Sequence, residues 1–376
     1  MRTYDGTLLT KKSNAIGVLT NKNDVIPRGN FILYKDNTDF SDFGFKGYIT
    51  KSDKLPPFSR VGVRINNGDS INQHFGDIIR ISSEGQIQVL WEAQSTQNAL
   101  FLTDACNVNC IMCPQPQKAH DKENVTAAHR VLDLLRGQNV SSICITGGEP
   151  TLLKNDFLSI LKRCSNEHPY AHINILTNGQ TLHDFEYAKQ CALNSSIHTC
   201  FCVSMHGDNK IIHDRIVQKN GAFHNVHSTL YNLSKLKVGI EIRFVVSKLN
   251  FMRLPNLPDF FFRSYPFVHH FAIMGLEMSG CAANNIDEIW IDPIDYQSQI
   301  NKFVIEAERR GINFSIYNHQ LCTLPKNAWI HAKQSISKWK QTFIKQCAQC
   351  DIQDQCGGFF ATSKNLISRE IKPVIL

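Results

Sequence analysis

The sequence predicts an α/β fold, in which a partial barrel of six parallel βα units is preceded by a small β-rich domain and followed by a C-terminal metal-binding region. Three observations predict it. Short apolar runs separated by Gly, Asn, Asp and Ser fill the first 95 residues, as in a β-rich domain. From Asn98, strand-like and helix-like runs alternate, which is typical of parallel βα units. Cysteines at metal-ligand spacing occur near residues 110 and 350, so we expect domains at 1–95, 96–290 and 291–376.

The composition restricts the class of protein. A net charge of +7 from scattered Lys and Arg is typical of a solvated surface and does not favour nucleic-acid binding. The chain has 13 cysteines and begins MRTYDGTLLTKK, without an apolar signal segment, which argues against secretion and against disulfides. No run approaches the roughly 18 apolar residues of a membrane span. We expect a soluble, cytoplasmic protein with reduced thiols and no membrane or nucleic-acid partner.

The N-terminal domain is expected to be β-rich and without chemistry of its own. Strand-like runs lie at 31–34, 61–65 and 78–81, and a Ser-Glu-Gly turn at 83–85 predicts a β-hairpin over 76–91. The few His and acidic residues have no metal-like spacing. A packing or partner-docking role is the expected one.

The predicted βα units indicate where the functional site lies. Strands are predicted near 98–103, 142–146, 172–176, 199–205, 239–246 and 268–274, and helices near 125–137, 154–166, 181–193, 222–236 and 253–263. In parallel βα architectures the active site lies at the carboxyl ends of the strands. We therefore expect the functional residues there.

The first cysteine group follows the first of these strands. Cys106, Cys110 and Cys113 form a CxxxCxxC spacing in TDACNVNCIMCPQP, which indicates a loop wrapped around a metal cluster. Thiolates are soft ligands that favour iron-sulfur clusters, zinc or Cu(I). Three thiolates leave one iron of a four-iron cube without a protein ligand, whereas a structural zinc site closes with a fourth Cys or His. The alternative is three buried cysteines that coincide.

At these residues the chain resembles the radical S-adenosylmethionine (radical SAM) superfamily. The resemblance implies that Cys106, Cys110 and Cys113 hold a [4Fe-4S] cluster whose fourth iron is chelated by SAM. It also implies a radical SAM partial barrel as the fold.

Two further strand ends match that superfamily. The strand 142–146 ends in Gly147, Gly148, Glu149 and Pro150, which resembles the motif that binds the methionine part of SAM, although an ordinary Gly-Pro turn is the alternative. The strand 172–176 ends in a Thr-Asn-Gly sequence, in which Asn178 is expected to face the cofactor.

The fourth and fifth strands add two further expected contacts. Many relatives carry Ser-x-Asp-Gly after the fourth strand, and here Ser204 is present while His206 replaces the acidic residue. Ser204 is therefore the expected SAM contact. Arg243 lies on an otherwise apolar strand and is costly to bury unpaired, so it is expected to meet a carboxylate. That carboxylate is either the one of SAM, which we favour, or a structural Glu or Asp.

A second cysteine group lies near the C-terminal end of the sequence. Cys347, Cys350 and Cys356 form CxxCxxxxxC, which indicates a metal site with zinc as the alternative to iron-sulfur. The segment is similar to the auxiliary-cluster (SPASM) domain of peptide-modifying radical SAM enzymes, except that position 360 is Phe instead of Cys. The resemblance thus implies one auxiliary [4Fe-4S] cluster in a reduced, twitch-like region. Its fourth ligand is expected to be Cys322, with Cys281 as the competitor.

Several runs together, among them LEMSGCAANNIDEIWIDPIDY, HQLCTLP and CGGFF, resemble the HxsC maturases of the His-Xaa-Ser peptide system. The resemblance implies a ribosomally made precursor peptide as substrate, a companion radical SAM maturase, a small accessory protein, and an electron donor such as flavodoxin or ferredoxin. The catalytic residues and the bond formed stay open. Alternative functions are activation of another enzyme, as in sulfatase maturation or glycyl-radical generation, and a non-catalytic metal-binding scaffold of a maturase complex.

Overall fold

The computed structural model describes residues 2–10, 14–65, 68–119, 122–363 and 366–376. In these ranges the strands form two eight-stranded sheets and one two-stranded sheet. The chain divides into two units. Unit 1 is Met1–Leu102, Lys122–Cys144 and Asn166–Ala171, and unit 2 is Thr103–Asp121, Ile145–Ser165 and His172–Leu376. The division into domains 1–95, 96–290 and 291–376 stays a prediction.

The bounds of the elements are as follows. The strands are β1 (Thr3–Tyr4), β2 (Thr7–Leu8), β3 (Ala15–Thr20), β4 (Phe31–Tyr34), β5 (Gly47–Thr50), β6 (Gly62–Arg64), β7 (Ile78–Ile81), β8 (Ile87–Trp91), β9 (Ala99–Phe101), β10 (Ser142–Thr146), β11 (His172–Thr177), β12 (Thr199–Ser204), β13 (Gly239–Val245), β14 (His270–Met274), β15 (Phe314–Tyr317), β16 (Ala332–Lys333), β17 (Gln341–Thr342) and β18 (Phe359–Phe360). The helices are α1 (Glu123–Leu135), α2 (Asn155–Glu167), α3 (Phe185–Leu193), α4 (Lys210–Val217), α5 (Ala222–Lys235), α6 (Leu257–Ser264), α7 (Cys281–Asn284), α8 (Ile286–Ile289) and α9 (Gln297–Arg309).

Unit 1 contains a mixed sheet in the order β1-β8-β7-β3-β4-β5-β6-β2. Strand β8 shows why the sheet forms, because its alternate residues Ile87, Val89 and Trp91 are buried in the core while the residues between them are half-buried. Strands β7 and β8 pair antiparallel. The hairpin predicted over 76–91 is confirmed.

Unit 2 is built on parallel strands. Strands β11 to β16 pair in chain order, each parallel to the next, and the end of β10 continues them. The prediction of an α/β fold with a parallel sheet is therefore confirmed. The sheet extends beyond the six predicted strands, since β15 and β16 also belong to it. Strands β17 and β18 form a separate antiparallel pair.

Several helices differ from the prediction. Helix α3 begins at Phe185 instead of near 181, and α4, α7, α8 and α9 have no predicted counterpart. The helix predicted at 253–263 begins at Leu257, because the prolines at 255 and 258 allow only a 3-10 turn over Phe251–Asn256 before it. Helix α4 was not predicted, although Asn209 caps it by accepting a hydrogen bond from the Ile212 N–H at 3.2 Å. No helix in the described part of the chain combines the length and apolar character needed to cross a membrane.

Candidate functional site

Parallel pairing brings the predicted residues of unit 2 to neighbouring strand ends. Glu149 follows β10, Asn178 follows β11, and Ser204 is the last residue of β12. Ser204 is in register with Arg243 of the adjacent strand β13. The carboxyl ends of adjacent parallel strands share one edge of a sheet, so these residues surround a common region.

The loop 103–116, which we name the cluster loop, carries the first cysteine group. Cys106, Cys110 and Cys113 are half-buried, and the Cys113 N–H donates to the Cys110 carbonyl at 3.1 Å. Burial and the neighbouring thiols of Cys106 and Cys113 raise the pKa of Cys110 to about 12. Burial likewise raises the pKa of Cys106 and of Cys113. The three sulfurs therefore lie within electrostatic reach of one another, as ligands of one cluster must.

The paired glycines after β10 permit a close approach between two backbones. The N–H of Gly148 donates to the Thr103 carbonyl at 2.7 Å, and the N–H of Glu149 donates to the Ala105 carbonyl at 2.8 Å. A Cβ on Gly147 would lie 2.5 Å from the Thr103 oxygen, and one on Gly148 would lie 2.4 Å from the Ala105 oxygen. The glycines are thus required because the cluster loop lies directly against them.

The Glu149 carboxylate is enclosed by protein. It is 0% exposed, and it accepts hydrogen bonds from the Thr151 N–H at 3.1 Å, the Thr151 hydroxyl, the Thr177 hydroxyl at 2.8 Å and the Asn178 N–H at 2.6 Å. Burial raises the pKa of Glu149, and these donors oppose that shift. The carboxylate joins the end of β10 to the end of β11, and its influence on the site passes through Asn178.

Asn178 connects this carboxylate to the cluster loop. Its Nδ2 donates to the Cys106 Sγ at 3.5 Å and to the Asn107 Oδ1 at 2.8 Å, while its Oδ1 accepts from the Gln180 N–H at 2.9 Å. The side chain is therefore fixed with its amide toward a cysteine sulfur. Hydrogen bonds to the sulfurs are one means by which a protein tunes a cluster.

His206 is a packed, neutral ring. It is 5% exposed, and burial together with His213 lowers the pKa of His206 to about 3. Its ring stacks on that of His213 with centroids 6.0 Å apart. The His213 Nδ1 accepts from the His206 N–H at 3.1 Å, whereas the His213 Nε2 has no hydrogen-bond partner among the described residues. His206 thus belongs to the core beside the strand end.

Arg243 meets a structural carboxylate, the second of the two partners considered for it. Its Nε donates to the Glu241 Oε1 at 2.6 Å, and the other oxygen of Glu241 lies 2.8 Å from the His270 Nδ1. Although burial opposes it, hydrogen bonds from His270 and Arg243 lower the pKa of Glu241 to about 2. The guanidinium charge is therefore balanced within the protein.

The second cysteine group lines a single apolar cavity. Cys322, Cys347, Cys350 and Cys356 face it, together with the aromatic side chains of Phe343 and Phe359. Burial and the nearby thiols of Cys356 and Cys347 raise the pKa of Cys322. The Val374 N–H donates to the Cys350 Sγ at 3.4 Å. The cavity thus brings the predicted fourth cysteine to the three of the CxxCxxxxxC segment, although Cys322 precedes Cys347 by 25 positions in the chain.

Cys281, the competitor for that position, lies elsewhere. Electrostatic interactions connect it with Cys110 and Cys113 of the cluster loop. The preceding Ser279 hydroxyl donates to the Pro114 carbonyl at 3.1 Å. Cys281 is therefore beside the first cysteine group.

The donors of the two cysteine groups are thiols. In the described ranges, no three His, Cys, Asp or Glu side chains form a group that could hold one metal ion. Thiolates are ligands both of zinc and of iron-sulfur clusters. Both cysteine groups fit a [4Fe-4S] cluster by donor type and number.

Sequence reasoning missed the residues that support the cluster loop from a distance. Thr151 and Thr177 are fully or almost fully buried, and their hydroxyls donate hydrogen bonds to the Glu149 carboxylate. The carbonyls at the end of α4 accept two hydrogen bonds from the cluster loop. The available signal was a polar threonine at the end of the apolar strand β11 for Thr177, and the threonine that follows the Gly-Gly-Glu-Pro sequence for Thr151. The contact of α4 depends on tertiary structure and has no signal in the local sequence.

Part of the chain is similar to known proteins. Residues 100–251 match the model of the radical SAM superfamily. The chain is 26% identical over 159 residues to the sporulation killing factor maturation protein SkfB of Bacillus subtilis, with 40% of this chain and 36% of that protein covered. It is 28% identical over 158 residues to a probable GTP 3',8-cyclase of Saccharolobus islandicus, with 41% of this chain and 46% of that protein covered.

Among solved structures, Streptococcus suis SuiB bound to the precursor peptide SuiA is similar with a TM-score of 0.49 and 16% identity, over 58% of this chain and 48% of that chain. The chain therefore spans less than half the length of each of these three proteins.

Proposed function

We propose that this chain, whose residues 100–251 match the radical SAM superfamily model, is a peptide maturase, which cleaves SAM reductively and abstracts hydrogen from a ribosomally synthesised precursor peptide. Similarity to a maturation protein over 159 residues supports the substrate class. The HxsC-like sequence runs favour a peptide with His-Xaa-Ser repeats. A companion maturase and a small accessory protein belong to the same proposal.

The observation that carries the proposal is the presence of two separate cysteine groups in unit 2. Cleavage of SAM alone needs only Cys106, Cys110 and Cys113. The cavity lined by Cys322, Cys347, Cys350 and Cys356 is additional, and we assign it an auxiliary [4Fe-4S] cluster that receives the product electron or organises the substrate.

The residues of the strand ends would bind and orient SAM. Cys106, Cys110 and Cys113 would hold the first cluster, which would supply the electron for reductive cleavage of SAM when both are bound. Backbone groups of Gly147, Gly148 and Pro150 and the hydroxyl of Ser204 are the assigned contacts of SAM, with Asn178 fixing the loop beside it. The enclosed Glu149 and the paired Arg243 position these elements from the protein side.

The test is anaerobic reconstitution followed by iron and sulfide analysis and by measurement of 5'-deoxyadenosine with dithionite as reductant. Replacing Cys106, Cys110 and Cys113 together by Ala should abolish 5'-deoxyadenosine formation and remove about four iron atoms per chain, the content of one cluster. Cys200→Ala, which changes a thiol outside both groups, is the control and should keep both values. Native-rate formation in the triple variant would refute the assignment of the cluster loop.

A synthetic precursor with His-Xaa-Ser repeats then tests the substrate class. Mass spectrometry should detect a SAM-dependent mass change in the peptide. Activation of a sulfatase-derived or glycyl-radical-enzyme substrate, without any change in the precursor, would instead support the alternative in which the chain activates another enzyme.

A further inference from the structure

A basic groove lies between helices α4 and α5 in unit 2. Its lining includes Lys210, Arg215 and Lys219, which are cationic, and a single carboxylate, that of Asp214. We name it the α4–α5 groove. The Asp214 carboxylate is occupied internally, because it accepts from the Gly221 N–H at 2.7 Å and the Phe223 N–H at 2.8 Å. The groove therefore presents mainly positive charge to a partner.

The cations differ in how much of their charge is available. Lys210 is exposed and has no ion-pair partner in the ranges that the structure describes. Arg215 is exposed and pairs with Glu288 at 3.0 Å, an interaction that solvent weakens. Lys219 directs its Nζ to a backbone oxygen instead of a carboxylate, so its charge is not neutralised.

The inner wall of the groove is in direct contact with the cluster loop. The N–H groups of Asn109 and Ile111 donate to the carbonyls of Val217 and Ile216, the last residues of α4, at 3.1 and 3.0 Å. Lys219 Nζ donates to the Asn107 carbonyl at 3.1 Å. Val217 also packs in a small apolar cluster against which Cys106 and Cys110 lie. A molecule seated in the groove is thus separated from the first cysteine group by one layer of protein.

We propose that the α4–α5 groove docks an acidic one-electron carrier protein of the flavodoxin type, a proposal that rests on the proposed function. The reduced flavin of the carrier would lose one electron, and the first cluster would gain it and pass from the 2+ to the 1+ state. Electron-transfer complexes are small and transient, and complementary charge mainly raises their association rate. An electron carrier needs a docking surface of complementary charge that lies close to the cluster. The exposed cations of the α4–α5 groove, which contacts the cluster loop, provide such a surface.

The test measures binding as well as electron delivery. Lys210→Glu with Arg215→Glu reverses two exposed charges on α4, while Lys189→Glu with Lys235→Glu makes the same change of net charge on exposed positions of α3 and α5 that do not line the groove. Oxidised flavodoxin is titrated into each reconstituted protein by calorimetry at low ionic strength. We expect Kd to rise about tenfold for the groove variant and less than about twofold for the control variant.

Electron delivery gives the second readout. 5'-Deoxyadenosine formation driven by reduced flavodoxin should fall about tenfold in the groove variant, and the salt dependence of the rate should flatten, whereas formation driven by dithionite should stay at the wild-type rate. Equal loss in both variants, equal loss with both reductants, or unchanged flavodoxin binding would each overturn the proposal. So would an acidic precursor peptide that loses binding in the groove variant while flavodoxin does not, since the groove would then be a peptide site.

Failure of this proposal is distinguishable from failure of the proposed function. Wild-type protein that makes no 5'-deoxyadenosine with dithionite would contradict the proposed function itself. Wild-type protein that makes it with dithionite, and whose groove variant responds to flavodoxin as the wild type does, would contradict only the docking surface.

Discussion

Replacing Glu149 by Gln tests whether the enclosed carboxylate fixes the site. The wild-type carboxylate accepts four hydrogen bonds and donates none. Gln has the same shape but carries two N–H donors in place of one oxygen. A donor must then face the Asn178 N–H on one side or the Thr151 and Thr177 donors on the other.

In the less costly orientation the Gln amide nitrogen faces the Asn178 N–H, so that N–H loses its acceptor and the Gln donors become further buried donors without an acceptor at that position. Such a group costs roughly 1–3 kcal/mol, and the three remaining hydrogen bonds also weaken because they lose a charged acceptor. We expect Glu149→Gln to lower the free energy of unfolding of unit 2 by about 2–3 kcal/mol. Glu186→Gln, at an exposed position of α3, should change it by less than about 0.5 kcal/mol.

The loss should reach the cofactor through Asn178, whose side chain donates to Cys106 and Asn107. We expect SAM affinity to fall about tenfold, equivalent to about 1.4 kcal/mol, while iron content stays near that of the wild type. Urea unfolding followed by circular dichroism measures stability, and anaerobic equilibrium dialysis with SAM measures affinity. If Glu149→Gln matches Glu186→Gln in both assays, the carboxylate does not position the site and the reasoning fails.

Two further predictions concern the other cysteine group and the buried histidines. Cys322→Ala should remove the auxiliary iron signal in Mössbauer spectra, whereas Cys281→Ala should leave it, because of these two cysteines only Cys322 lines the cavity of that group. If auxiliary iron is lost only from Cys281→Ala, the assignment of the fourth ligand is reversed. Stoichiometric zinc in this site of the wild-type protein would exclude an electron-transfer role for it. Burial lowers the pKa of His213 to about 4 from its ordinary 6.5. Between these two pH values His213 is protonated in the unfolded chain but neutral in the folded chain. The free energy of unfolding therefore decreases as pH falls from 6.5 toward 4. Between pH 6.5 and 5 the wild type should lose roughly 2 kcal/mol more than His213→Gln in urea unfolding, and parallel pH profiles for the two proteins would contradict this.

The sequence was sufficient to predict features that depend only on residues close together in the chain. Strand β10 has the predicted bounds 142–146, because an apolar alternation followed by paired glycines is a local signal. The spacing of Cys106, Cys110 and Cys113 is local as well. Local patterns also failed where they were weak: α4 is short and its polar residues interrupt the apolar period, so it was not predicted.

Roles that depend on tertiary contacts were harder to predict. Glu149 was expected to bind the cofactor, which stays a prediction; the burial of its carboxylate and its hydrogen bond from the Asn178 N–H could not be predicted from the sequence. Arg243 had two possible carboxylate partners, and residue spacing cannot choose between a ligand and Glu241. Which of Cys322 and Cys281 joins the C-terminal cysteine group likewise depends on the tertiary position of two loops that are far apart in the sequence.

The way in which the cluster loop is held determines how the cysteine experiments are interpreted. Its hydrogen bonds to the glycines after β10 and to the end of α4 all involve backbone groups of the loop, for example the Thr103 carbonyl and the N–H groups of Asn109 and Ile111. Replacing the three cysteines by Ala leaves every one of these groups in place. The loop should therefore keep its path when it loses its sulfurs, and loss of iron can be separated from loss of fold. Unfolding measurements on the triple variant test this separation directly, since the backbone bonds predict a stability close to that of the wild-type protein before cluster reconstitution.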